Sequence, residues 1–193
     1  MGIILASASP RRRELLIMLG VRDFTVMPAD TSENLPPMEP EDAVRHIALM
    51  KAREVSGRYP GEDVVIAADT LVYLDGEALG KPKDAEEAGD MLRRLSGNRH
   101  TVYTGVALIK DAAETTFSEK TDVFFRQMSS AEIDAYVRTG EPLDKAGAYG
   151  AQGRGAVFIE RIEGDFFNVM GLPLCRLAAE LRDFGFDLTG NTD

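Results

Sequence analysis

A chain of 193 residues, 44% hydrophobic and 28% charged, has the size of one folded domain and the composition of an ordinary globular protein. Its formal net charge of −10 excludes a nucleic-acid polymer as the main partner, because such binding needs broad cationic surfaces that displace counterions. A single cysteine, Cys175, and two histidines, His46 and His100, exclude an internal disulfide and a structural zinc site, and no stretch approaches the ~20 apolar residues that span a bilayer.

In chain order, "GIILA" reads as a short buried strand and "SPRRRELLIMLG" as a helix, with Ser9 at the N-cap, Pro10 at the first position and Gly20 past the end. The opening apolar run is shorter than a signal-peptide core and arginines follow it, so a cytoplasmic location is expected. "DFTVMP" is a second strand. A polar, proline-containing loop runs from Ala29 to Glu39, and long ordered loops are disproportionately functional. From Pro40 to Ser56 the pattern is helical, with Val44, Ile47, Ala48 and Val55 on one stripe and Lys51 on the same stripe. "DVVIAAD" is a strand, and "LVYLDGEAL" a hairpin turning at Asp75-Gly76.

Asp84 with Glu87 makes a capping-box signature for a helix to Ser96, whose core face is Ala88, Met91, Leu92 and Leu95 and which ends at Gly97. "RHTVYTGVALI" and "TTFSEKTDVFFRQM" are long strands expected to pair antiparallel, and Ser129 with Glu132 caps a helix that stops at Gly140. The glycine-rich "GEPLDKAGAYGAQGRG" follows, then a strand in "AVFIERIEG" and a helix in "LPLCRLAAELRDFGF" that starts near Pro173 and carries Cys175 on its core face. "LTGNTD" reads as a frayed tail. Interleaved strands and helices predict an α/β fold with a mixed sheet covered by helices, in one domain over residues 1–193.

Chemistry gathers at two places. At a helix start the free N–H groups and the positive end of the macrodipole attract anions, so Arg11, Arg12 and Arg13 there oppose helix stability. A local cost of that kind points to function, here a phosphate cradle, although three consecutive arginines lie ~100° apart and cannot all face one ligand. The plain alternative is a solvated cationic turn. Asp69 follows the buried "VVIAA" strand, and ligands in open α/β sheets sit beyond the carboxyl ends of such strands. A carboxylate there could hold Mg²⁺ or activate water, or merely start a turn.

Lys51 could snorkel to solvent, and Lys81 in "GKPKD" and Glu33 in the polar loop gain no standing from spacing alone. Together, Arg11, Arg12, Lys51, Lys81, Asp69 and Glu33 make the mix that a metal-triphosphate site requires. No P-loop, dinucleotide-binding glycine fingerprint or nucleophile elbow is present. His100 reads as structural and His46 as a surface residue.

Six blocks in order, "SASPRRRELL", "AADTLV", "GKP", "SGNRHTVYTGV", "GEPLDKAGAYGAQG" and "NVMGLPL", together resemble the Maf family of nucleotide pyrophosphatases over essentially the whole length. The resemblance implies hydrolysis of nucleoside triphosphates to the monophosphate and pyrophosphate, as house-cleaning against non-standard nucleotides. It also implies an elongated mixed sheet flanked by helices with a central cleft, of Maf/ITPase-like type, and a homodimer that acts on a small nucleotide with no nucleic acid or membrane partner. A divalent cation is implied, Mg²⁺ first, with Mn²⁺ or Co²⁺ as substitutes.

"GEPLDKAGAYGAQG" is similar to the branch acting on dTTP and UTP. By motif position Asp69 matches the catalytic base, with Lys81 and Glu33 beside it, and Asp69 and Glu33 as metal ligands. Ser7, Ser9, Arg11, Arg12, Lys51, Thr70 and Gln152 match substrate-binding positions, with Arg11, Thr70 and Gln152 tied to substrate choice. Ala151 stands where the branch often has a bulkier aliphatic residue. The Gln152 amide offers an acceptor and donors suited to the N3–H and a carbonyl of uracil or thymine, which cytosine partly reverses. A nucleotide-sensing regulator of cell division or septum formation with little turnover is the alternative, and modified pyrimidine nucleotides are a further substrate class.

Overall fold

The computed structural model describes residues 2–31, 36–59 and 61–188. Elements alternate as the sequence predicts: β1 (Ile3–Leu5), α1 (Pro10–Met18), β2 (Phe24–Val26), α2 (Pro40–Arg58), β3 (Val64–Leu74) and β4 (Glu77–Leu79). They continue with α3 (Ala85–Leu95), β5 (Arg99–Lys110), β6 (Ala113–Phe125), α4 (Ser130–Val137), β7 (Ile159–Glu163), α5 (Phe166–Met170) and α6 (Leu174–Asp183). Three short 3-10 turns fill the glycine-rich stretch between α4 and β7.

The seven strands form one open mixed sheet in the order β2-β1-β3-β5-β6-β7, with β4 paired to β3. β1 lies parallel to both β2 and β3, whereas β3–β4 and β6–β7 are antiparallel. β5 and β6 are neighbours joined by two residues only, a connection that antiparallel strands alone can make. The expected α/β mixed sheet flanked by helices is thus present.

The backbone divides into two compact units. One comprises Met1–Asp69, Thr104–Glu119 and Gly171–Asp193, and the other Thr70–Tyr103 and Lys120–Met170. In the first, Ala48, Ala52 and Val55 of α2 pack on Ile4, Ala6, Val65 and Ala67, with Ala107 and Ile109 of β5 in the same cluster. Gly105 of β5 passes so close to α2 that a Cβ there would lie 2.3 Å from the Val44 carbonyl. The second unit centres on the apolar face of α3, where Ala88, Met91, Leu92 and Leu95 join Phe125, Tyr136, Tyr149 and Phe158.

The helix signals act as expected at most ends. The Ser9 hydroxyl accepts from the Arg12 amide at 3.5 Å, and Ser129 and Glu132 form a complete capping box. At α3 only half a box forms: Asp84 accepts from the Glu87 amide, but the Glu87 carboxylate takes the Lys83 amide instead of the N-cap's own. Cys175 corrects the sequence reading. It is exposed, because α6 buries Leu174, Leu177 and Leu181 and position 175 is turned about 100° from Leu174. α5 was not expected, although Asp165 caps it, with Oδ1 accepting from the Phe167 amide at 2.7 Å.

Candidate active site

Strand order places the first cluster. β1 leads through α1 to β2 on one side and, by way of α2, the chain returns to β3 on the other. Right-handed crossovers then put α1 and α2 on opposite faces, and the carboxyl ends of β1 and β3 flank the point where the strand order reverses. Leu5 pairs with Ile66, and the Ala6 amide donates to the Ile66 carbonyl at 2.8 Å. Ser7 and Asp69 therefore follow closely upon the last paired residues of adjacent strands.

Asp69 lies in the middle of β3 and not at its carboxyl end, which corrects the sequence reading. The strand continues for five more residues because its second half becomes one arm of the β3–β4 hairpin, turned by Asp75 and Gly76 at φ 51° and 85°. The parallel pairing of β3 with β1 ends at Ile66, three residues before Asp69.

Around the β1–α1 junction the hydroxyls and one guanidinium are already organised. Ser7 is buried, and its Oγ accepts from the Ser9 amide at 3.3 Å and from Arg12 Nη1 at 3.0 Å. Both lone pairs are used, so the remaining capacity of that hydroxyl is its O–H, a donor suited to an anion. Arg12 Nε donates to the Gly171 carbonyl at 2.8 Å, which fixes the guanidinium fork at a second point. Arg11 and Arg12 are half-buried while Arg13 is exposed, as the helical rotation requires.

On the neighbouring strand β3 stands an ion pair. Period-2 alternation puts Asp69 on the same face of β3 as Val65 and Ala67, the face covered by α2. From that helix Lys51 Nζ donates to Asp69 Oδ1 at 2.8 Å, with each side chain only 14% exposed. Lys51 does not snorkel. Its neighbours on the stripe are Val44, Ala48, Ala52 and Val55, and Ile47 is half-buried.

Glu54, one turn along α2 from Lys51, accepts from the Asp30 amide at 3.0 Å and from the Thr31 hydroxyl. These hydrogen bonds hold the Glu54 carboxyl below its ordinary value, the Thr31 hydroxyl contributing most. Glu54 thus tethers the start of the polar loop to α2, a role that its charge alone did not signal. Glu33 lies outside the described residues.

The second unit holds the other sequence-predicted positions. Thr70 follows Asp69 on β3 and is half-buried, facing the opposite side of the strand. Lys81 and Gln152 are both exposed. The Gly147 amide donates to the Gly80 carbonyl at 3.1 Å, tying the strand-exit loop before Lys81 to the glycine-rich segment. Gly147 has φ 68°, and a Cβ there would meet Val72 at 2.9 Å, so it is glycine for packing as well as for conformation.

His100 is buried, with Nε2 2.8 Å from the Tyr149 hydroxyl and Phe125 edge-on to the ring. Burial pushes its imidazole down to about 4, against a partial upward pull from Asp122. It is structural, and His46 is exposed on α2, both as expected.

The described residues hold no helix long and apolar enough to cross a membrane. The family model described as Maf-like protein matches residues 2–184. A dTTP/UTP pyrophosphatase of Geobacillus sp. (strain WCH70) is 49% identical over 185 residues, spanning 95% of this chain and 98% of that protein. The dTTP/UTP pyrophosphatase of Symbiobacterium thermophilum is 50% identical over 186 residues, 96% of this chain and 95% of its own. Among solved structures, the Staphylococcus aureus Ham1 protein shares 16% identity and a TM-score of 0.49, covering 93% of this chain and 100% of that one. With six sequence blocks in order and a family match from end to end of the described fold, the chain belongs to the Maf-like protein family.

Proposed function

We propose that this protein hydrolyses nucleoside triphosphates, dTTP and UTP foremost, to the monophosphate and pyrophosphate. The observation that carries the reading is the Lys51–Asp69 pair at 2.8 Å on β3, the strand beside β1, from which the chain runs on through Ser7 and Ser9 to Arg12. Relatives named dTTP/UTP pyrophosphatase at 49% and 50% identity support the reaction and the substrate class.

In this reading the N-terminal amides of α1, the Ser7 hydroxyl and the Arg11 and Arg12 guanidinium groups bind phosphate oxygens. Asp69 receives the proton of the water that attacks the α-phosphorus, and Lys51 orients that carboxylate and offsets charge as pyrophosphate departs. Lys81 offsets charge on the phosphates, Thr70 contributes to substrate choice, and Gln152 reads the base through its amide.

The donor chemistry fits a divalent cation. Among the described residues no cluster of three or more acidic, histidine or cysteine side chains forms a cage. Mg²⁺ is ordinarily held by one or two carboxylates plus substrate phosphates; Asp69 would supply one, and Glu33, outside the described residues, would be the second. When bound, the cation would neutralise phosphate charge and favour in-line displacement. We further propose a homodimer acting in the cytoplasm, the first part checked by light scattering coupled to size exclusion.

The test is hydrolysis of dTTP in Mg²⁺, in an assay that separates pyrophosphate from orthophosphate. The expected products are dTMP and pyrophosphate, with kcat lowered about a thousandfold in Asp69→Asn. Release of orthophosphate alone would overturn the reaction type. Binding of dTTP without turnover in Mg²⁺, Mn²⁺ and Co²⁺ would instead favour a nucleotide-sensing regulator.

A further inference from the structure

The glycine-rich segment after α4 closes on a single carboxylate. Glu141 Oε1 accepts from the Tyr136 hydroxyl at 2.9 Å and from the Gly155 amide at 3.2 Å, and Oε2 accepts from the Arg154 amide at 2.9 Å. The Tyr136 hydroxyl in turn accepts from the Gly150 amide at 3.1 Å. Lys145 Nζ donates to the Glu141 carbonyl at 2.8 Å, bracing the same residue from its backbone. Burial raises the Glu141 carboxyl, but the amides of Arg154 and Gly155, the Tyr136 hydroxyl and the Lys145 charge outweigh it and hold the group below its ordinary value.

Three glycines conform to this arrangement. A Cβ on Gly153 would lie 2.4 Å from Glu141 Oε1, one on Gly155 2.7 Å from the Tyr136 hydroxyl, and one on Gly150 2.9 Å from Lys145 Cε. Gly153 has φ −114°, a value that any residue adopts, so its lack of a side chain answers to the nearness of Glu141 and not to its backbone. The sequence suggests that glycines here admit a planar ligand. In the structure the space a side chain would take at these three is filled by Glu141, Tyr136 and Lys145.

Between them lies Gln152. The Gly153 amide donates to the Gly150 carbonyl at 3.2 Å, closing a turn whose two central residues are Ala151 and Gln152. One end of that turn is tied to Tyr136 and the other, one residue further on, to Glu141. Gln152 itself is exposed at the tip.

We infer that Glu141 is a positioning residue for pyrimidine selection: with Tyr136 it fixes the Gly150–Gly153 turn and so the aim of the Gln152 amide. This rests on the proposed base-reading role of Gln152. A hydrogen-bonding site discriminates by leaving the wrong partner unpaired, and that penalty needs a rigid donor and acceptor.

The test compares kcat/KM for dTTP and dCTP in wild type, Gln152→Ala, Glu141→Ala, Glu141→Gln and Gly153→Ala, with circular dichroism and thermal melts on each. Glu141→Ala is expected to lower the dTTP-to-dCTP ratio about tenfold, mainly through KM for dTTP. Glu141→Gln keeps an acceptor oxygen and should recover part of the ratio. Gly153→Ala, which pushes a methyl group into the carboxylate without backbone strain, should match Glu141→Ala and add little to it in the double variant.

If Gln152→Ala collapses the ratio while Glu141→Ala and Gly153→Ala leave it intact, the role of Glu141 alone is overturned. An unchanged ratio in Gln152→Ala overturns the base-reading assignment and this inference with it. Equal losses for both nucleotides in the Glu141 and Gly153 variants would mean general destabilisation and would also overturn it.

Discussion

Lys51 on α2 and Asp69 on β3 meet at 2.8 Å although the rest of that helix–strand contact is hydrocarbon. An ammonium and a carboxylate, each 14% exposed, interrupt a face otherwise built from Ala48, Ala52, Val65 and Ala67. Taking charges partly out of water is costly, so such a pair is weak evidence for stability and stronger evidence for a task. Lys51→Met should therefore lower kcat for dTTP about a hundredfold and also lower the melting temperature, because it leaves the Asp69 carboxylate largely buried without the ammonium that neutralised it. Steady-state kinetics beside a melting curve checks both halves.

Arg12 joins Ser7 Oγ to the Gly171 carbonyl through two nitrogens of one planar group. A lysine ammonium cannot reproduce that fork. Arg12→Lys is expected to raise KM for dTTP about tenfold with a smaller fall in kcat, measured at several ionic strengths. An unchanged KM would mean that Arg12 braces the junction without touching phosphate.

Gly105 tests the first unit's packing. Its β5 position leaves no room for a methyl group, since the obstruction is the Val44–Arg45 backbone at 2.3 to 2.5 Å. Backbone cannot rotate away, so Gly105→Ala should destabilise by about 3 kcal/mol or more in urea denaturation, the upper range for an overpacked core. A loss under about 1 kcal/mol would show that α2 shifts easily on the sheet.

His100 makes stability pH-dependent. Its imidazole titrates at about 4 in the folded chain because it is buried, against an ordinary value of 6.5. The unfolded chain therefore binds the extra proton between these values, and stability must fall as pH drops through that window. The expected loss from this group is roughly 2 kcal/mol between about pH 7.5 and pH 5. Urea titrations of wild type and His100→Gln at both pH values isolate it: the loss should shrink in the variant, and equal losses would rule the imidazole out.

The elements were legible wherever a local signal sufficed. Ser9 with Pro10, Ser129 with Glu132, and Asp75-Gly76 mark helix starts and a hairpin through hydrogen bonds and φ values that act within four residues. The apolar face of α3 was equally plain. Local pattern also misled within a single turn. Cys175 sits one residue off the buried face of α6, and Glu87 chose the Lys83 amide over its N-cap.

By itself, then, the sequence determined the α/β alternation, the capped, arginine-bearing start of α1 and the list of candidate residues, because capping, periodicity and charge are properties of neighbours along the chain. Tertiary structure alone decided that Asp69 lies in the middle of β3 and not at its end, that Lys51 meets it, and that Glu141 holds the Arg154 and Gly155 amides. Those three facts depend on strand register and on groups brought within 3.2 Å from positions 13 to 18 residues apart. No spacing rule for one helix or strand reaches that far.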